Sequence, residues 1–96
     1  MLIELLQFKL KAEASIDEFL KANKQAEDKQ VATIPGFLSR QTSVDEDGTW
    51  MIMVHWADKS ALDKSLATFM EAEATQTFLS LMDSDTMSMT VFSVKM

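Results

Sequence analysis

The chain has 96 residues, of which 47% are hydrophobic, and this length and composition predict a single domain over residues 1–96 with one modest core. Nine Lys and Arg against fifteen Asp and Glu give a net charge of −6, which has the wrong sign for binding nucleic acid or an anionic membrane. The absence of cysteine excludes disulfides and thiolate chemistry, and it fits a reducing, cytoplasmic location.

The first half of the chain predicts a strand, a helix and a second strand. Residues 2–10 alternate loosely between a more apolar and a more polar side, as a strand does. Ser15 and Glu18 have the spacing of a capping box, so a helix is expected to begin there and to end near Ala32. A second strand is expected over Phe37–Val44, after the Pro-Gly pair that bounds the helical region.

A hairpin is expected next, because Asp45-Glu46-Asp47-Gly48 supplies turn residues and a glycine free to adopt positive φ. The returning strand, Thr49–Trp56, is apolar on both of its faces, so both faces need cover. One face carries Trp50, Ile52, Val54 and Trp56, and the other carries Met51, Met53 and His55.

The last third predicts a second helix and a final strand. Asp58 or Ser60 is a suitable helix cap, and apolar residues then recur at helical spacing until residues 74–77 weaken the pattern. Asp83-Ser84-Asp85 is expected to be a polar connector, and residues 87–96 alternate as a strand.

The element order is therefore β-α-β-β-α-β. Two right-handed crossovers place both helices on one face of a four-stranded antiparallel sheet, which is the ferredoxin-like arrangement of the α+β class. The opposite face is left bare and carries apolar residues from the third strand, so we expect a second copy of the chain to cover it. A homodimer is the predicted assembly.

Three short segments accompany this element order. They are Ile34-Pro35-Gly36-Phe37, Asp47-Gly48-Thr49-Trp50 and His55-Trp56, which ends the third strand. Taken with the element order, they resemble the dimeric α+β barrel superfamily and, within it, antibiotic-biosynthesis-monooxygenase-like domains. This resemblance implies a homodimer whose sheets face each other, with a pocket in each subunit. Members of the superfamily include cofactor-independent monooxygenases of polycyclic aromatics and haem-degrading enzymes.

The haem-degrading branch uses an Asn on strand one, a Trp at the end of strand three and a His on the second helix. Trp56 matches that Trp and Gln7 falls near the Asn, but no His lies on the second helix. Haem degradation is therefore the less favoured reading. The aromatic-oxidising branch is matched only in part as well, since the chain has no Tyr.

Five residues are candidates for a site. His55 is the only side chain whose ordinary pKa lies near neutrality, so it is the natural general base, with Gln7 as a second group for a proton or an enolate oxygen. Trp56 and Trp50 share a face and are suited to stack on a flat aromatic ligand, and Arg40 offers a polar contact. Core packing explains the two tryptophans equally well, a packed or hydrogen-bonded structural role is favoured over catalysis for His55, and solvated or rim positions are favoured for Gln7 and Arg40. One His and two Gly assemble no catalytic triad, phosphate loop or zinc site, and no metal or cofactor is expected.

Two functions stay open from the sequence. The first is a homodimer that binds a flat, largely apolar compound and oxidises it without a cofactor, the deprotonated substrate itself reacting with oxygen. The second is a non-catalytic, ligand-binding or stress-related dimer that only sequesters or senses such a compound.

Overall fold

The computed structural model describes residues 1–96 and confirms the ferredoxin-like β-α-β-β-α-β order, with an additional short helix before the last strand. The sheet is antiparallel throughout, with the strand order β2-β3-β1-β4. No helix is long and apolar enough to cross a membrane. The elements are β1 (Leu2–Leu10), α1 (Ile16–Lys29), β2 (Phe37–Val44), β3 (Thr49–Trp56), α2 (Lys59–Phe69), α3 (Gln76–Leu81) and β4 (Met82–Ser93), with 3-10 turns at Val31–Thr33 and Glu73–Thr75.

The two faces of the sheet differ because β1 and β3 are paired in a strict register. Leu2 lies opposite Trp56 and Phe8 lies opposite Trp50, so even-numbered residues of both strands point to the same side. This inner face packs against the helices and holds the core. Its buried members, with the helix residues that cover them, include Phe8, Phe19, Trp50, Ile52, Val54, Trp56, Leu62 and Phe78.

The outer face of the sheet is covered by no element of the chain. Ile3, Leu5, Met51 and Met53 lie there half-buried, and Phe92 on β4 is 50% exposed. We call these five residues the outer apolar patch. A continuous apolar surface of this kind is unusual on a protein that remains monomeric.

Both predicted helix caps are present. The Ser15 Oγ accepts a hydrogen bond from the Glu18 N–H at 3.3 Å, and an Asp58 carboxylate oxygen accepts one from the Ala61 N–H at 3.0 Å. Each cap satisfies a backbone donor that the first helical turn leaves free. Asp58 rather than Ser60 is therefore the cap of α2.

The end of α1 differs from the prediction. The helix ends at Lys29 instead of near Ala32, because the chain tightens into the 3-10 turn at Val31–Thr33. Gln30 leaves helical geometry with φ −128°, and its carbonyl accepts a hydrogen bond from the Thr33 hydroxyl at 2.6 Å. The local side-chain bond competes successfully with continuation of the helix.

The predicted connector at Asp83–Asp85 is wrong, since these residues belong to β4. A bulge makes this possible: the pairing of β1 with β4 shifts between Gln7 and Lys9. The Lys9 N–H donates to the Thr86 Oγ1 at 2.8 Å within this irregular stretch. An edge strand is solvated, so it accepts polar residues that the alternation rule assigns to a loop.

The entry to β2 depends on a close approach of backbone to helix. Gly36 has φ 97°, and a Cβ built there would lie 2.6 Å from the Ala61 Cβ. The Gly36 carbonyl accepts a hydrogen bond from the Ala57 N–H at 2.8 Å, which ties the end of β3 to this turn. Only glycine meets both the conformation and the space.

Candidate functional site

A cavity of about 220 Å³ lies between the inner face of the sheet and helices α2 and α3. Of the 15 residues that line it, 12 are hydrophobic. The lining residues that remain exposed are Leu66 and Met70 on one side and Met87 and Met89 on the other. The cavity therefore opens between α2 and β4, where the helices do not reach the edge of the sheet.

Three polar side chains interrupt the apolar walls, namely those of Glu4, Arg40 and Ser65. A few convergent polar groups in an apolar cavity are typical of a site that orients a small molecule. No group of three or more His, Asp or Glu side chains is arranged so that it could hold a metal ion. The chemistry available to the cavity is thus that of one carboxylate, one guanidinium and one hydroxyl.

Arg40 is the only arginine of the chain, and its side chain is 2% exposed. Its Nη1 donates to a Glu27 carboxylate oxygen at 3.2 Å and its Nη2 donates to the Asn23 Oδ1 at 2.8 Å. Burial lowers the pKa of Arg40, whereas the hydrogen bond and the negative charge of Glu27, and the charge of Glu4, oppose that change. A guanidinium retains its proton in proteins, so the cavity contains a fixed positive charge.

Glu4 lies on β1 at the same level of the sheet as Arg40 on β2, since both are paired with Val54 of the strand between them. One Glu4 carboxylate oxygen accepts a hydrogen bond from the Trp56 Nε1 at 3.0 Å. Trp56 is completely buried, so this bond holds the carboxylate in one orientation.

Both tryptophans point to the inner face, but neither is among the residues that line the cavity. Trp50 packs on Phe19 with ring centroids 4.8 Å apart, and Trp56 packs edge-on against Phe37 at 5.9 Å. Trp56 thus reaches the cavity only through its bond to Glu4. Their predicted contact with a ligand stays a prediction.

Gln7 and His55 lie on the outer face, on the opposite side of the sheet from the cavity. The His55 Nδ1 is 3.2 Å from the Ser39 Oγ, and Gln7 is exposed. The structure therefore brings Arg40 to the cavity and separates it from the two residues predicted to handle protons. A catalytic role for His55 or Gln7 stays a prediction, and it would concern the outer face.

Sequence reasoning missed Glu4 and Ser65. A signal for Glu4 was available, because it shares the more apolar side of the first strand with Leu6 and Phe8. A carboxylate on the buried side of a strand is costly unless it is bonded or functional. Ser65 lies beside Leu66 on the covered side of α2 and gives no comparable signal.

Comparison with solved structures shows the same fold in proteins of low sequence identity. SnoaB, a cofactor-independent oxygenase from Streptomyces nogalater, is 16% identical with a TM-score of 0.81, over 99% of this chain and 93% of that one. A dimeric ferredoxin-like protein of unknown function from Jannaschia sp. CCS1 is 16% identical with a TM-score of 0.72, over 97% of this chain and 98% of that one.

A further solved structure, described as an antibiotic biosynthesis monooxygenase, is 22% identical with a TM-score of 0.74 and covers 99% of both chains. No curated protein matches the sequence. The sequence profile of the family described as antibiotic biosynthesis monooxygenase matches residues 1–81, which is most of the chain. The protein therefore belongs to the antibiotic biosynthesis monooxygenase family.

Proposed function

We propose that the protein binds a flat, largely apolar compound in the cavity between sheet and helices and oxidises it without a cofactor. The observation that carries this proposal is the cavity itself, with 12 hydrophobic residues among the 15 that line it. An apolar cavity of about 150 Å³ holds a benzene molecule. A volume of about 220 Å³ accordingly suits a compound of one or two fused rings, with larger ones extending through the opening.

The family membership and the fold shared with SnoaB, a cofactor-independent oxygenase, support the choice of reaction. In such a reaction the substrate loses a proton and its anion supplies electrons to oxygen. A CH₂ group and one O₂ give a carbonyl group and one water. The protein's contribution is to hold the substrate, to promote loss of the proton and to keep bulk water away from the anion.

Oxygen uptake with anthrone-like and quinol substrates tests the activity. We expect a rate above the buffer blank for the native protein. Leu66→Trp is expected to reduce that rate, because the larger side chain occupies the opening of the cavity. Leu20→Trp is the matched control, since Leu20 is also an exposed helical leucine but lies on α1, away from the cavity. Native rates equal to the blank would remove the proposal.

We propose further that the protein is a homodimer paired through the outer apolar patch. A two-fold pairing covers both copies of the patch with one contact. The dimeric ferredoxin-like neighbour supports this assembly. Sedimentation at micromolar concentration should report about twice 10.8 kDa, and a lone 10.8 kDa particle would contradict it.

A non-catalytic binding protein is the second candidate. The observation that favours it is the small number of polar groups in the cavity, three among 15 residues, none of them histidine. Native mass spectrometry of freshly purified protein tests this candidate by detecting a retained small molecule. We expect a retained apolar compound together with no oxygen uptake if sequestration is the function, and an empty protein would count against it.

A further inference from the structure

We propose that Glu4 is the base and Arg40 the oxyanion-binding group of the cavity, and that together they select a flat ketone with an acidic C–H. This inference rests on the proposed function and names the residues that perform its first step. The apolar walls still bind the rings of the compound, and the substrate anion still reacts with oxygen as proposed above. The loss of the substrate proton is assigned to two side chains that the structure places at the same level of the sheet.

The two residues approach the cavity from the strands on either side of β3. Glu4 and Arg40 flank Val54 from the two neighbouring strands, so their Cα atoms are about 10 Å apart, twice the usual strand spacing. All three residues line the cavity. The carboxylate and the guanidinium do not pair with each other, since Arg40 forms its ion pair with Glu27. A flat molecule lying over Val54 would meet one group at each side.

Each group is oriented by hydrogen bonds to neighbouring side chains, and each retains donor or acceptor atoms that these bonds do not use. Trp56 bonds one oxygen of Glu4, which leaves the second oxygen free. Glu27 and Asn23 use two of the five N–H hydrogens of the guanidinium, and the structure gives the other three no protein acceptor. Asn23 is itself fixed, because its Nδ2 donates to the Thr42 Oγ1 at 3.0 Å. Groups oriented before the substrate arrives need no reorganisation during the reaction.

A packing role alone does not account for this arrangement. Placing a guanidinium in an apolar cavity carries a desolvation cost, and a hydrophobic side chain of similar size would fill the space without it. β2 is an edge strand, and a pairing shifted by one residue would have turned the Arg40 side chain to the outer face, where its charge would not be buried. Buried, perturbed charges in a cavity are typical of functional sites.

The charges around the site select a neutral ligand. The single positive charge of Arg40 is already opposed by Glu27 and by Glu4, so an anion gains little by entering. A ketone fits both sides, because its oxygen accepts from the free N–H groups of Arg40 while its acidic C–H faces the free oxygen of Glu4. The C–H bond breaks, the proton moves to the Glu4 carboxylate, and the electron pair delocalises to the ketone oxygen as an enolate that Arg40 stabilises.

Anaerobic hydrogen–deuterium exchange isolates this step from the reaction with oxygen. The probe is anthrone, a flat ketone whose acidic CH₂ lies across the ring from its carbonyl group, followed by proton NMR in D₂O. We expect the native protein to exchange the CH₂ protons faster than buffer at the same pH. E4Q is expected to lower the catalysed rate by about 100-fold or more, because an amide cannot accept the proton. Its side-chain oxygen still accepts from Trp56, so binding of the ketone, measured by saturation-transfer NMR, should be kept.

Two further variants complete the test. R40K keeps the positive charge but replaces the planar five-donor fork with one nitrogen, so bonds to Glu27 and Asn23 leave a single N–H for the ketone, and we expect it to lower the exchange rate by about 10- to 100-fold. E46Q is the matched control for E4Q, since Glu46 is exposed in the hairpin turn and should leave the exchange rate unchanged.

The outcomes separate this inference from the proposed function. Native exchange equal to buffer, or an undiminished rate in folded E4Q, overturns the assignment of Glu4, and an undiminished rate in R40K overturns that of Arg40. Oxygen uptake that persists in E4Q also contradicts the inference but leaves the monooxygenase proposal standing. Exchange that depends on Glu4 and Arg40 without any oxygen uptake supports the inference and removes the proposed oxidation.

Discussion

The inner and outer faces of the sheet are built from neighbouring residues of the same strands, yet they meet different surroundings. On β3, Ile52 is 2% exposed beneath the helices, whereas Met53 is only half-buried on the uncovered side. The inner face needs no partner, and its incomplete cover near β4 leaves the cavity. The outer face has no cover within the chain. Apolar residues on both sides of one strand therefore meet different surroundings, internal packing on one side and, in the dimer we propose, a second copy of the chain on the other.

The largest expected effect is on association. Leu5→Lys places a charge in the outer apolar patch, and a two-fold contact contains the substitution twice. Burying a leucine is worth about 1.5–3 kcal/mol, so we expect the dimer to lose about 3–6 kcal/mol and its dissociation constant to rise more than about 100-fold. Sedimentation velocity over a concentration series measures this. An unchanged dimer would show that the outer face is not the contact.

The next largest effect is on stability, and it differs between two adjacent residues of β3. Ile52→Ala should cost about 2–5 kcal/mol of unfolding free energy, because it opens a void beneath the helices. Met53→Ala should cost under about 1.5 kcal/mol when the protein is diluted enough to be monomeric, since its side chain is half-exposed there. Urea denaturation at low and high protein concentration measures both. Equal costs at low concentration would contradict the difference between the faces.

The two tryptophans of the inner face allow a finer test. Trp56→Phe removes the N–H that donates to the Glu4 carboxylate, and a hydrogen bond to a charged group contributes about 1.5–3 kcal/mol. Trp50→Phe removes a ring of the same kind from its contact with Phe19 but breaks no bond to a carboxylate, so its cost should be smaller. Thermal unfolding of the two variants measures the difference, and a reversed order would contradict the role given to Trp56.

The smallest effects concern the two glycines with positive φ. Gly48→Ala should cost about 1 kcal/mol, because φ is 82° but nothing lies within 4 Å of the new Cβ. Gly36→Ala adds a contact with the Ala61 Cβ at 2.6 Å, so its cost should exceed that of Gly48→Ala by about 1–3 kcal/mol. Unfolding curves of both variants check the order, and equal costs would show that α2 shifts away without penalty.

Most of the fold was accessible to sequence reasoning because its signals are local. The capping residues Ser15 and Asp58 and the turn glycine Gly48 act within a few positions, and the bounds of β2 and β3 were predicted as observed. The start of β4 was missed because its polar residues pair across an irregular register with β1. Long-range pairing of this kind leaves no local pattern.

The site was less accessible, and Arg40 shows why. Counting alternately from Phe37, which packs inward against Trp56, would turn Arg40 to the outer face. The pairing of β2 with β3 shifts between Phe37 and Ser39, and this irregularity brings Arg40 to the inner side instead. A bulge is set by the partner strand rather than by the residues it displaces. Alternation along the sequence therefore predicts which residues belong to a site better than it predicts the face of the sheet on which they lie.

The solitary arginine has a practical consequence for spectroscopy. A uniformly nitrogen-15-labelled sample contains one guanidinium Nε per chain, so its correlation spectrum should show a single Arg side-chain signal. Because that group lines the cavity, the signal reports occupancy directly and needs no assignment experiments. Mixtures of candidate compounds can accordingly be screened by following one peak.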